Sequence, residues 1–458
     1  MTRKKEKKIK KKRCFSKGEI VFNFISIVAV FSIGLYYGTR AMYYYSLQNI
    51  NKKETENTLN SLLDINNMII KEGEGLHQDE EGKYFKGVNV NNYVRFANRT
   101  FRIIRVNNDE TIRMVSQDLV ASLIWGEDKS YANSNIKLWL TNDSTDSETS
   151  GVYFKTLPNP VSFLAKTEYT EDTLEDNKVI EGKDKYSDYV TTLGINDYIT
   201  AGGKNSYLNI KKLFYLLGYN KEGENLYIEE DGSVLNCDTL DGYGIRSVIT
   251  FNKNLVVEQG NGSSTDPYVI KQGENTNYID GYVKLGNDTW KIINDKNGVL
   301  KMHLNGYISD GNGGVYTRNY GKYNSIFDLE DRYNIASYLN NDYLGSLPYN
   351  NIIVDNVYYN GEFSADSGYH FKDNYSNYIY CKVALLNIFD YVSNNELDDY
   401  FHMNTTSNVG SLQYSRRSNG LLEEADISEE KHIVPVISIS SKSIKKGTGT
   451  IDDPYVVE

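Results

Sequence analysis

Three sets of residues have types that could do chemistry. The first is a ring-rich stretch, Val357 to Tyr380, which carries Tyr358, Tyr359, Phe363, Tyr369, His370, Phe371, Tyr375, Tyr378 and Tyr380 among Asn, Gly, Ser and Asp. Rigid amphipathic tyrosines amid short polar side chains are what recognition surfaces use. So many glycines and polar residues also argue against a continuous core element. Tyr358, Tyr359, Tyr369, His370, Tyr375 and Tyr378 are therefore the candidate binding residues. The whole chain holds 39 tyrosines, so some of these rings are expected simply to pack beneath the loop.

The second set is Cys237, Arg246 and a histidine, which suit a thiol transpeptidase if Arg steadies an oxyanion and His polarises the thiolate. No motif surrounds Cys237 in VLNCDTLDG, so Cys237 and Cys381 are expected as two buried thiols rather than a bridge between modules. The third set is acidic pairs such as Asp398-Asp399, which would suit a glycosidase. With 24% of residues charged, neighbouring acids arise freely and a solvated face accounts for them. His77, His303, His370, His402 and His432 show no metal-ligand spacing. There is no nucleophile elbow, phosphate loop or EF-hand, and Asp295 to Gly298 reads as a hairpin turn. No metal and no cofactor are expected. A non-catalytic binding role is favoured, with a cell-wall hydrolase or thiol transpeptidase as the alternative.

What must position these residues is a duplicated module. Tyr93 to Ile104 (YVRFANRTFRII) is matched by Tyr282 to Ile293 (YVKLGNDTWKII), a displacement of 189, and Asp197-Tyr198 is matched by Asp390-Tyr391. Gly260 to Ile270 (GNGSSTDPYVI) returns as Gly447 to Val457 (GTGTIDDPYVV). The glycines permit positive φ, Asp-Pro makes a turn, and Tyr-Val-Ile/Val favours an extended terminal strand. A period this long marks whole modules, expected over 76–270 and 271–458.

In front of them, Arg3 to Arg13 carries nine Lys/Arg against one Glu, and Ile20 to Tyr37 has no formal charge. A helix needs about 20 residues to cross a hydrocarbon core. The expectation is a basic cytoplasmic tail over 1–18, a transmembrane helix over 19–39 and a helical stalk with linker over 40–75, placing the rest of the chain outside the cell. The membrane is thus one expected partner, and a cell-wall glycan or protein is another. The chain has a net charge of −11, and with the tail so basic the remainder carries about −20, which argues against nucleic acid.

Within each module, Tyr93 to Phe96, Thr100 to Val106 and Thr111 to Val115 read as a three-stranded meander. A short helix presenting Ile136, Trp139 and Leu140, or Ile335, Tyr338 and Leu339, follows. Tyr207 to Leu217 (YLNIKKLFYLL) reads as a buried helix closed by Gly218, and Gly244 to Val257 and Ile433 to Ile439 as strands. Strands, helices and strands in that order suggest α+β: an N-terminal transmembrane helix, a stalk, then two homologous antiparallel-sheet domains with short helices.

The runs EEGKYFKGVNVNNYVRFANRTFRIIRV, LGINDYITAGGKNSYLN, GIRSVITF and GNGSSTDPYVI together resemble tandem, membrane-anchored surface domains of uncharacterised proteins from low-GC Gram-positive bacteria, over residues 76–458. GIRSVITF alone is similar to the Gly-Val-Arg-Pro strand of a broader domain of unknown function, which implies a C-type-lectin-like fold. The second copy departs from it, with Val434 at the Arg246 position. The resemblance implies surface exposure and no established reaction.

Overall fold

The computed structural model describes residues 57–141, 151–272, 278–363, 378–391, 397, 401–407, 412–416 and 419–457, and all of them belong to one compact unit, Asn57–Glu458. It corrects the expected fold class. Among the described residues the fold is mostly β, 42% strand and 15% helix, and one apolar run read as helical, Phe214 to Leu217, is a buried strand.

The expected membrane span over 19–39 lies outside the described residues. Among those described, no helix is long and apolar enough to cross a membrane, and the single-pass membrane location is withdrawn on that finding. The stalk is corrected as well. Its described part holds one short helix, α1 (Leu59–Asn66), and the chain is in strand again by Gly75. Thr58 caps α1, its Oγ1 accepting from Ser61 N–H at 3.3 Å. Leu59 and Leu63 are buried, and Leu59 N–H donates to Leu255 O at 2.9 Å. The apolar face of α1 is thus spent on the first sheet.

Two sheets are built alike. The main path of the first, a ten-stranded sheet, contains β1 (Tyr93–Phe96), β2 (Arg99–Asn107), β3 (Ile112–Ser116), β4 (Val190–Thr192), β5 (Ser247–Phe251), β6 (Val257–Gln259) and β7 (Tyr268–Ile270). The second contains β8 (Tyr282–Leu285), β9 (Asp288–Lys296), β10 (Val299–Leu304), β11 (Val383–Leu385), β12 (Pro435–Ser440), β13 (Ile444–Lys446) and β14 (Tyr455–Val457). The first runs β4-β5-β3-β2-β1-β7-β6 and the second β11-β12-β10-β9-β8-β14-β13, the same order strand for strand. Register repeats too. Tyr93 opposes Arg102 where Tyr282 opposes Lys291, and Val94 opposes Phe101 where Val283 opposes Trp290. Phe101 and Trp290 are both fully buried. Each long hairpin carries a bulge at the same place, Ile103/Arg105 and Ile292/Asn294.

The repeated glycine motif is a turn that only glycine fits. Gly260 has φ +105, and a Cβ there would sit 1.9 Å from Pro267 O; Gly447 has φ +97, with Pro454 O at 2.3 Å. Asn261 and Gly262 N–H both donate to Asp266 O, as Thr448 and Gly449 do to Asp453 O. The strand that follows runs parallel to β1 or β8 and is flanked by β6 or β13 on its other side, so it is internal to its sheet.

The helix expected in each module forms, with Ile335 and Leu339 buried in the second and Tyr338 only partly so. In α2 (Asn135–Leu140) the Ser134 hydroxyl accepts from Lys137 N–H at 3.1 Å, and Ile136, Trp139 and Leu140 are buried. A third helix, α3 (Ile195–Thr200), carries Asp197, and α4 (Ile335–Tyr338) is capped by Asn334. The helix expected over Tyr207 to Leu217 is corrected, for Phe214–Asn220 is a strand. Four consecutive apolar residues, Phe214 to Leu217, are all buried, and such a run fits a strand covered on both faces as well as it fits a helix. That strand belongs to a third sheet, in which Gly242–Ile245 of the first repeat pairs with Leu422–Asp426 of the second. The repeats therefore share hydrogen bonds and core.

Candidate functional site

The ring-rich stretch is only partly described. Tyr369, His370 and Tyr375 lie outside the described residues. Tyr358 and Tyr359, on a strand paired with Tyr378–Cys381, are 1% and 4% exposed. The Tyr358 hydroxyl shares a hydrogen bond with Ser438 Oγ at 3.1 Å. Tyr359 packs edge-on against Tyr378 and Phe389, with ring centres 5.7 and 5.2 Å apart. Tyr378 is half-buried. These three rings do structural work: Tyr358 and Tyr359 are neighbours on one strand and leave it on opposite faces, and both are covered.

The thiol constellation is not assembled. Arg246 is fully buried; its Nε and Nη2 donate to Ser116 O at 3.0 and 2.7 Å, and its Nη1 to Leu208 O at 2.6 Å. The guanidinium stitches backbone carbonyls together. Cys237 and Cys381 are buried and unpaired. Burial first, and nearby Asp241 and Asp238 after it, push the Cys237 thiol up to about 12, the reverse of what a nucleophile needs. Burial also brings His303 and His402 down to about 4, so both are neutral packing residues. Asp398 and Asp399 lie outside the described residues.

A site that sequence reasoning did not locate lies over the first sheet. Arg102 opposes Val115 and Arg105 opposes Arg113. Val115 and Arg113 are two apart and share a face, so the bulge brings Arg102 and Arg105 onto one face despite their odd spacing. Thr250 opposes Arg113 on the next strand. The opposite face, with Phe101, Ile103, Met114 and Ile249, is core.

On the arginine side, Arg105 makes a bidentate pair with Asp79 at 2.6 and 2.8 Å. Burial pushes the Asp79 carboxyl up, but the Arg105 guanidinium more than offsets this and holds it below its usual range. Arg113 Nη2 lies 2.9 Å from Asp197 Oδ2 on α3. A cleft of about 560 Å³ opens here, lined by Arg105, Arg113, Thr167, Asp172, Asp197 and Thr250 among others. In it Arg113 Nε, Thr167 Oγ1 and Thr250 Oγ1 are buried without a hydrogen-bond partner among the described residues. Asp197 Oδ2 touches Arg113 closely, yet no aligned hydrogen bond forms between them. Asp172 Oδ1 accepts from Thr170 Oγ1 at 2.6 Å and from Gly182 N–H at 3.1 Å.

Asp172 is thus engaged by donors of the fold, and Asp197 lies against the Arg113 guanidinium. The arrangement offers fixed hydroxyl and guanidinium groups to a polar ligand. The signal that could have found it is the set of arginines at 102, 105 and 113, inside strands and each flanked by apolar residues. Compared with known protein families, with characterised proteins and with solved structures, the chain finds no match.

Proposed function

We propose that this is a non-catalytic binding protein whose first repeat takes a hydroxyl-rich ligand, a glycan of the cell-wall class, in the cleft over Arg113 and Thr250. The observation that supports it is the set of buried polar atoms on that cleft, Thr167 Oγ1, Thr250 Oγ1 and Arg113 Nε, which pair with no group among the described residues. Leaving such an atom unpaired costs about 1–3 kcal/mol, and ligand hydroxyls would supply the missing partners. The cleft volume of about 560 Å³ is in the range of small-molecule sites, about 300–1,000 Å³.

The test is calorimetric titration of the full chain with soluble cell-wall glycan strands, alongside Thr250→Val. That substitution keeps the branched shape and removes the hydroxyl, so affinity should fall at least tenfold while Tm is unchanged. Equal binding by the variant, or no binding by the parent, would overturn the reading. Release of new reducing ends during incubation would favour the hydrolase instead.

A further inference from the structure

The arginine face of the first sheet holds a second cleft, whose electrostatics differ from those of the first. Arg102 is 3% exposed, and its guanidinium carbon lies 3.7 Å from the centre of the Tyr93 ring and 4.7 Å from that of Tyr207. Nε donates to Asn92 Oδ1 at 2.6 Å, Nη1 to Gln117 Oε1 at 3.2 Å and Nη2 to Val90 O at 3.3 Å. All three acceptors are neutral, and the Tyr93 hydroxyl is a fourth neutral neighbour. Burial lowers the pKa of Arg102 to about 10, which leaves it charged at neutral pH. A cleft of about 480 Å³ opens on this cation, lined also by Asp118, Ser206, Asn209 and Lys212. Its lining includes one acid, Asp118, whose charge also acts on Arg246 behind it.

The second repeat shows what has been left out. Lys291 opposes Tyr282 as Arg102 opposes Tyr93, and it too sits over the ring, 5.0 Å from its centre. There the cation has a carboxylate, Asp280 Oδ1 at 3.8 Å. The backbone around that acid is equivalent in the two copies, since Ile292 N–H donates to Gly281 O and Ile103 N–H to Asn92 O. One residue before Asn92 the first repeat has Asn91, which is exposed and uncharged. Duplication has thus kept a cation stacked on a tyrosine while the acid that answers it in the second copy has no counterpart in the first.

We propose that the Tyr93–Arg102–Tyr207 cleft binds a compact oxyanion, a carboxylate or phosphate carried by a larger ligand. Two rings and three fixed acceptors hold the guanidinium in one plane, so the usual ordering cost of an arginine clamp is already met, and its planar fork matches oxyanion geometry. This site stands independently of the hydroxyl-rich ligand assigned to the neighbouring cleft.

The experiment is titration of the full chain, at low ionic strength, with sodium glucuronate and separately with inorganic phosphate, glucose serving as the neutral control. The deciding variant is Gln117→Glu. It places a carboxylate on Nη1 without changing side-chain size, so the fold keeps its support for Arg102 while the charge is quenched from within. Saturable binding of glucuronate or phosphate, weakened at least tenfold in Gln117→Glu and by added salt, is the expected result. Whichever probe saturates names the source of the oxyanion. If neither probe saturates the parent, or if Gln117→Glu binds as tightly as the parent, Arg102 is a structural rivet and the proposal falls.

Discussion

Arg113 and Asp197 form in the first repeat the ion pair that Lys301 and Asp390 form in the second. In each case the cation stands on the third strand of the meander, and the acid comes from the Asp-Tyr dipeptide that marks the duplication. Both pairs are largely buried, at 15% and 12% and at 15% and 11% side-chain exposure. Breaking one partner of such a pair strands the other. Asp390→Ala should therefore cost about 3 kcal/mol, whereas the double variant Lys301→Met with Asp390→Leu should recover most of it. Urea unfolding of the parent, Asp390→Ala and the double variant measures this. A loss under about 1 kcal/mol in Asp390→Ala would mean the pair behaves as a solvated surface contact.

A second buried cluster ties the repeats to each other. Arg99, at the start of β2, pairs with Asp280 of the second repeat, which also accepts from the Tyr391 hydroxyl at 3.0 Å. The Arg99 guanidinium stacks 4.1 Å from the centre of the Tyr391 ring, and Trp139 Nε1–H donates to Phe389 O at 2.8 Å. Asp280→Ala leaves Arg99 and Lys291 without their carboxylate and should cost about 3–5 kcal/mol. The two repeats should then melt in separate steps by calorimetry. Parent stability should change little between low and 1 M salt, because the pair is shielded from solvent. A variant that still melts in one unshifted transition would show that the shared sheet alone couples the repeats.

The glycine turns give a sharper contrast. Gly260→Ala must place a methyl group within the backbone of Pro267, with φ fixed at +105, so a loss of about 2 kcal/mol or more is expected. Gly223 also has positive φ, +75, but open space around it. Gly223→Ala should lose about 1 kcal/mol, the conformational cost alone. Equal losses from the two substitutions would show that the Pro267 contact relaxes freely.

Much of this architecture was legible because it is local. The turn residues Ala97-Asn98 and Asn297-Gly298 all take positive φ, and the hairpins they close fall where alternation and repeat placed them. Ser134 and Asn334 capped short helices for the same reason. What stayed hidden is non-local. The pairing of Gly242 with Leu422 joins residues too far apart for any window of sequence to register. Phe214 to Leu217 carries no period that separates buried strand from buried helix. The arginine face was missed because the bulge after Ile103 shifts parity, so counting by twos places Arg105 on the wrong side. Tyrosine density misled in the other direction, since Tyr358 and Tyr359 have apolar bodies that the core takes up.

The last prediction concerns pH. His303 and His402 are buried neutral: His303 Nδ1 bonds Leu304 O and His402 Nε2 bonds Arg318 O, each at 2.7 Å. Their pKa falls from 6.5 to about 4, chiefly because burial penalises the imidazolium. Between those values the unfolded chain binds protons that the folded chain refuses, so stability declines as pH falls from about 6.5 towards 4. Each ring contributes up to about 3 kcal/mol across that window. Carboxylates held low, such as Asp79, add their own loss, but largely at the acid end. The interval from pH 6.5 to 5 therefore reports mainly on the imidazoles. Tm should drop steadily across it in the parent and less steeply in His303→Gln. A parent with the same Tm at pH 6.5 and 5 would mean that both rings reach solvent and titrate in the folded chain as they do in the unfolded one.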